Sequence, residues 1–525
     1  MMPQLNRKIL IPVFIAFVLA SVSYRYNDIF IDFADEGFLW YGALEVLRGR
    51  VPILDFQAYD PGRYYWCAAV LSIFGKGLMS LRLAAGLFQF LSLTLGLLAL
   101  RRVVASFWVL SVFGLLVVFF MLVPCRYFNA GLAPIALFFA VRLVEKPSFG
   151  RHFAAGICAG VTVFFAVNQG LYAFAGFSAL MLYLNVKGRI ERGPGKYLCY
   201  LAGSAAGLLP LWGMMAFIPG FFESYWQRMA GILWAFSSGR ADVSFPVPWP
   251  WTVDWAGITA SLPDSGARLF EFTNRFAIGL LFVFTSVWYL FSIPALARLK
   301  NPAEGPRALF TASVFIGGSY LGHIFARSDL LYLGEGIFPV ISALLAWQAF
   351  ARAPWRRICW GLLAVFAAAA FFSAGLRSTL AFKTMVPKGG MVWHRVGQDR
   401  IWLTHSDAAY INSFKKLVSE NVGPQEPILL APLLTTFYCL LERESPVYEL
   451  YFHIAPTPAM EERVLRQMEE KNVRWAVVAD VLVDGHPEQA LSRSHPLLWA
   501  YLNDHFEKVT NEGLRPGYFL LKRKS

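Results

Sequence analysis

Apolar stretches of about 20 residues recur from near the N-terminus to residue 376, and no other feature limits the fold so strongly. A run of that length crosses the roughly 30 Å hydrocarbon core of a bilayer as a helix. In lipid the backbone polar groups find no partner but one another, so helices are the natural spans. The candidates, about eleven by the length rule, are residues 9–25, 80–100, 104–123, 129–145, 153–167, 169–186, 197–219, 276–296, 308–326, 330–350 and 358–376. Only 15% of the residues are charged, against about 25% in soluble domains. The fold class expected is a polytopic α-helical membrane protein with a C-terminal soluble α/β domain.

Charge sets the orientation. With the N-terminus in the cytoplasm, the inside ends of the spans hold 17 basic residues, Arg101, Arg102, Arg356 and Arg357 among them, against Glu145, Glu191 and Glu304. The outside ends before residue 377 hold 12 basic and 14 acidic residues. Lys and Arg are retained on the cytoplasmic side, so this asymmetry favours a cytoplasmic N-terminus. Of the net charge of +13, +12 belongs to the membrane part, since residues 377–525 carry 18 basic and 17 acidic residues. It is a topological signal, and no nucleic-acid partner is expected. The orientation leaves "YYWCAAVLSIFG" (64–75) outside as a juxtamembrane helix, a run too short to span. Residues 1–376 then form the membrane domain, with exoplasmic loops 26–79 and 220–275, and 377–525 form an exoplasmic domain. A multi-pass protein of the bacterial inner (plasma) membrane with a periplasmic C-terminal domain is expected.

In the tail, "PILLAP" (427–432), "RWAVVAD" (474–480) and "GYFLLKR" (517–523) are strand-like. "AMEERVLRQMEEKN" places Met460, Val464, Leu465 and Met468 at helical spacing. No phosphate-binding glycine loop or metal-ligand spacing appears there, which points to an accessory or acceptor-positioning role or a structural one. The six cysteines are scattered without a CxxC pattern, so neither a disulfide framework nor a zinc site is expected. The proline- and tryptophan-rich stretch 244–255 in the second large loop reads as either an interfacial resting loop or a lid.

Chemistry gathers in the first outside loop. "IDFADEGFLWYG" (31–42) brings Asp32, Asp35 and Glu36 just past the first apolar run, where charge is costly. The stretch after "ADEG", ended by Gly49 and Pro52, suits an amphipathic helix lying in the interface, with Leu39, Ala43, Val46 and Leu47 on one face. "ILDFQAYDPGRYYW" follows with Asp55, Asp60, Arg63, Tyr64 and Tyr65. Carboxylates, an arginine and tyrosines at headgroup level suit a substrate with a charged head and a lipid tail. A carboxylate takes a proton from an acceptor, and cations stabilise a departing phosphate. Asp32 reads as a solvated loop acid, and Glu36 as structural support. Tyr64 and Tyr65 read as interfacial anchors or as part of a substrate loop. "HIFARSDLLYLGEG" (323–336) adds Arg327 and Asp329 at an outside turn, either as a phosphate contact or as a local pair capping two helices. Asn168 and Gln169 read as satisfying backbone groups at an outside turn, and His323 as a paired structural histidine.

The order of a span, D-E-G, an amphipathic helix, a G-x-V-P turn, D-F, an aromatic P-x-x-Y-Y-W stretch and a short apolar helix resembles membrane glycosyltransferases of the GT-C type. That type includes protein O-mannosyltransferases and the lipid A aminoarabinose transferases. The resemblance implies a polyprenyl-phosphate sugar donor, a glycan, lipid or protein acceptor, and inverting transfer on the exoplasmic face. It implies Asp35 as the catalytic carboxylate, supported by Glu36 and Asp60. It implies donor phosphate contacts from Arg63, Arg126 and Arg327, with Tyr64, Tyr65 and Asp329 lining the substrate loop. The chain departs from the pattern at Asp60, where the family carries a basic residue, and at Asn129, where it carries an acid. A divalent metal is left open. Two other readings remain: a transporter or flippase of lipid-linked glycans, which requires polar groups deep in the spans, and a non-catalytic subunit of a cell-envelope glycan assembly complex. The spans look mostly clean of charge.

Overall fold

The computed structural model describes residues 2–524 other than 122, 191–192, 239–246, 248, 253, 261–264, 376–389 and 484. The expected boundary at 376/377 and part of the 244–255 stretch lie outside these residues. The chain divides into two compact units. One comprises Met1–Asn27, Ala85–Leu211 and Ser244–Met385; the other comprises Asp28–Ala84, Trp212–Val243 and Val386–Ser525.

Every run expected to span contains a helix, but not every one of these helices is long and apolar enough to cross. Among the described residues seven helical segments are: Arg7–Tyr26, Leu78–Leu100, Pro124–Glu145, Glu271–Ala297, Pro306–Ala326, Leu330–Phe350 and Arg356–Ser373. Gly195–Gly207 and Leu209–Phe217 make an eighth if the pair, bent by 52°, counts as one span. Eleven runs were expected, and seven or eight of the described helices pass by length and composition. Phe107–Phe120 has 14 residues and reaches only about 21 Å at 1.5 Å per residue. Phe149–Phe165 has 17.

The first unit is built on helix–helix contact. Between Phe149–Phe165 and Gly195–Gly207 the backbones touch: a Cβ on Gly156 would lie 2.1 Å from the Tyr200 carbonyl, and one on Gly203 would lie 2.1 Å from that of Phe153. Small residues permit this approach where lipid offers no hydrophobic drive between helices.

The second unit contains two sheets. β1 (Met391–Val396) and β2 (Asp399–Thr404) form an antiparallel hairpin. β3 (Ile428–Leu430), β4 (Trp475–Ala479), β5 (Phe506–Thr510) and β6 (Tyr518–Arg523) form a sheet in the order β3-β4-β6-β5. β3 runs parallel to β4, and the other pairs are antiparallel. Leu429, Ala476, Val478 and Leu521 pack with Val464 and Met468 of helix Pro458–Glu470. The strands read from residues 427–432, 474–480 and 517–523 and the helix read at 459–472 are thus all found.

Helix Asp35–Leu47 departs from expectation. It is not an amphipathic helix with one apolar face, because Phe38, Leu39, Trp40, Tyr41, Ala43 and Glu45 are all buried. It packs on helix Thr435–Leu441 and on helix Pro61–Phe74. Gly37 makes the first contact possible: a Cβ there would sit 2.0 Å from Thr436 Oγ1. A helix buried on more than one face belongs in an interior, and protein supplies that interior within the second unit.

Candidate functional site

Asp35 opens helix Asp35–Leu47, and the residue that caps this helix is Asp32. Asp32 Oδ1 accepts from Ala34 N at 2.8 Å and from Asp35 N at 3.2 Å, satisfying two donors that a helix start leaves orphaned. Its backbone carbonyl accepts from Thr436 Oγ1 at 2.9 Å. Asp32 is therefore not a solvated loop acid. Burial, reinforced by the neighbouring charge of Asp35, pushes its carboxyl up to about 6. Oxygens of Asp32 and Asp35 lie within 4.8 Å of each other, a pair able to share a divalent cation.

Asp35 is held from the C-terminal region. The Tyr451 hydroxyl donates to Asp35 Oδ1 at 2.8 Å, and the Tyr451 ring stacks on Phe38 at 4.2 Å. Gln57 fixes that segment, its Oε1 accepting from both Leu450 N and Tyr451 N at 2.8 Å. Burial pushes the Tyr451 phenol well above its ordinary value, so at neutral pH it is a donor.

Glu36 forms a buried two-pronged pair with Arg82, Nε–Oε1 2.6 Å and Nη2–Oε2 2.7 Å. Arg82 also donates to the carbonyls of Ile29 (3.2 Å) and Phe30 (2.8 Å). This fastens the loop before the helix, where Phe30 takes a positive φ of 56° and pairs through its N–H with Trp402 O at 3.0 Å. Arg82 carries no local signal in the sequence, since it reads as a basic residue near the start of an apolar run.

Asp60 is buried and lies 3.4 Å from Arg228 of helix Phe221–Ser237. The cation that answers Asp60 comes from 168 residues further along the chain. Arg63 is buried and its guanidinium lies over the Tyr59 ring at 5.1 Å. Tyr64 is completely buried and its hydroxyl accepts from Tyr59 N at 3.0 Å, so it is not an interfacial anchor. Tyr65 is partly buried, which raises its phenol.

Arg126, Arg327 and Asp329 belong to the first unit. Arg126 and Arg327 both lie over the ring of Tyr332, at 5.7 and 5.9 Å. Arg327 pairs with Asp329 at 3.0 Å, and Asp329 caps helix Leu330–Phe350 by accepting from Tyr332 N at 2.8 Å. That helix carries a charge the apolar run concealed. Glu335, 1% exposed, has His323 Nε2 at 2.5 Å, Asn129 Nδ2 and Gln169 Nε2 each at 3.3 Å, and Arg126 Nη1 at 3.9 Å. The spans are thus not clean of charge. Gln169 serves a carboxylate with its side chain rather than a backbone group, and His323 is a paired histidine as expected.

No family model matches the chain, and no curated protein matches it. Among solved structures it is similar to the archaeal oligosaccharyltransferase AglB from Archaeoglobus fulgidus, in complex with an inhibitory peptide and a dolichol-phosphate. The identity is 12% and the TM-score 0.42, over 90% of this chain and 70% of that one. It is also similar to ArnT from Cupriavidus metallidurans in the apo state, at 14% identity and a TM-score of 0.43, over 97% of both chains.

Proposed function

We propose that the protein is an inverting glycosyltransferase that moves a sugar from a polyprenyl-phosphate donor to a glycan, lipid or protein acceptor. The transfer takes place on the exoplasmic face of a bacterial inner membrane. The observation that carries this reading is the convergence of Arg126 and Arg327 on one tyrosine ring at the ends of apolar helices. Each has a carboxylate beside it and keeps part of its side chain exposed, and a lipid phosphate suits the forked geometry that guanidiniums favour.

Asp35 is the base in this reading. It takes the proton from the acceptor hydroxyl or amine as that atom attacks the sugar C1. The C1–oxygen bond to phosphate breaks, and the electron pair leaves with the polyprenyl phosphate, whose charge the arginines stabilise. Tyr451 orients Asp35, and Glu36 and Asp60 support the loop. Arg63 is buried against Tyr59, so its contribution to phosphate binding is the smallest of the three arginines. A divalent cation, where one is used, would lie between Asp32 and Asp35.

Turnover of a radiolabelled polyprenyl-phosphate sugar by the purified protein tests the reading. Asp35→Ala is expected to abolish release of polyprenyl phosphate while leaving the protein folded. Full activity in that variant would sink the assignment. The flippase reading keeps one observation in its favour, because Glu335 and His323 are ionisable groups inside the spans. Movement of the intact donor across vesicles without cleavage would favour it.

A further inference from the structure

Glu335 is absent from the chemistry above, yet it is the most connected buried charge among the described residues of the first unit. A carboxylate at 1% exposure in an apolar helix is costly unless donors surround it. Donors reach it from three other segments: Arg126 and Asn129 at the start of Pro124–Glu145, Gln169 at the start of Val167–Val186, and His323 near the end of Pro306–Ala326. Asn129 carries no charge of its own. Here it is a donor, and the carboxylate it serves comes from 206 residues further along the chain.

Bundling helices would account for Asn129, Gln169 and His323. It does not account for Arg126, which is shared between Glu335 and the face of Tyr332. Arg327 repeats that arrangement on the same ring, with Asp329 in place of Glu335. Each guanidinium thus lies beside a carboxylate and keeps part of its side chain exposed, 23% for Arg126 and 20% for Arg327. A free arginine samples many rotamers, and tethering removes that entropy before a ligand arrives.

We propose that Glu335 and Asp329 are positioning residues that hold Arg126 and Arg327 as a two-guanidinium clamp for a phosphate monoester headgroup, spaced by Tyr332. The inference rests on the lipid-phosphate reading above and adds the residues that build its anion site. Charge alone makes the opposite prediction. Removing a carboxylate from beside two arginines leaves more positive charge and tightens an anion; removing a tether loosens it.

The full-length protein in detergent micelles is titrated with undecaprenyl phosphate, undecaprenol and inorganic phosphate, with binding read by native mass spectrometry. The wild type is expected to bind undecaprenyl phosphate at least about tenfold more tightly than undecaprenol. Glu335→Gln is expected to weaken undecaprenyl phosphate about tenfold, the loss of a charge-assisted contact, and to leave undecaprenol unchanged. Asp329→Asn, on an outer turn, is expected to act in the same direction and serves where Glu335→Gln does not fold. Unchanged or tighter phosphate binding in these variants overturns the positioning role while leaving the donor reading intact. A wild type that does not prefer undecaprenyl phosphate over undecaprenol overturns both. Equal affinity for inorganic phosphate supports the clamp and removes the lipid as its ligand.

Discussion

The Arg82–Glu36 pair gives the sharpest test of how the loop before Asp35 is held. Both side chains are almost inaccessible, 4% and 3% exposed, and the guanidinium spans both carboxylate oxygens and two loop carbonyls. Arg82→Met keeps much of the volume and removes every one of these donors. Breaking a buried pair from one side costs about 3–5 kcal/mol, because the remaining charge is left unanswered. The carbonyls of Ile29 and Phe30 sit at a loop edge and regain water on opening, so the estimate stays within that range. Hydrogen exchange of the peptide covering residues 28–38 is the assay, with the protein in mild detergent. Opening free energies convert at about tenfold per 1.4 kcal/mol, so protection of the Ala34 and Asp35 amides should fall by about a hundredfold or more. The double variant Arg82→Met/Glu36→Gln removes the stranded charge and should recover a large part of the loss. Protection within threefold of wild type in Arg82→Met would refute the reasoning. So would a double variant no better protected than the single.

Two further outcomes follow from the same unit. Gly37→Ala drives a methyl group to 2.0 Å from Thr436 Oγ1 and 2.3 Å from Thr436 N; overpacking of this kind costs about 1–3 kcal/mol, and a clear fall in the unfolding temperature is expected. Asp32 has a folded-state value of about 6, raised from 3.8 by burial. The folded protein therefore holds this proton more tightly than the unfolded chain, so the stabilisation is fully present below about pH 4 and fades as pH rises through 6. Stability measured from pH 4 to 7 should decline less steeply in Asp32→Asn than in wild type.

Hydrophobic run length determined that this chain is a polytopic helical protein, since a helix is the fold such a run adopts in lipid. It also fixed where the helices lie. Among the described residues seven or eight helices pass as spans by length and composition, and a run such as Phe107–Phe120 looks like a span in sequence but is short for a bilayer. Period-2 and period-3.6 patterns located β3, β4, β6 and helix Pro458–Glu470. They passed over β5, whose burial does not alternate cleanly.

The acids after the first span were legible as a candidate site because charge beside hydrocarbon stands out. Their division of labour was not. Asp32 as cap, Tyr451 as the donor to Asp35, and Arg82 as the partner of Glu36 lie 3, 416 and 46 residues from the groups they serve. No local pattern encodes pairings of the longer kind. Glu335 escaped notice for the opposite reason, since one charge in a 21-residue apolar helix barely alters its average. Only the packing of four segments around that carboxylate decided that it is a hub, because a buried charge acquires its meaning from the donors that surround it.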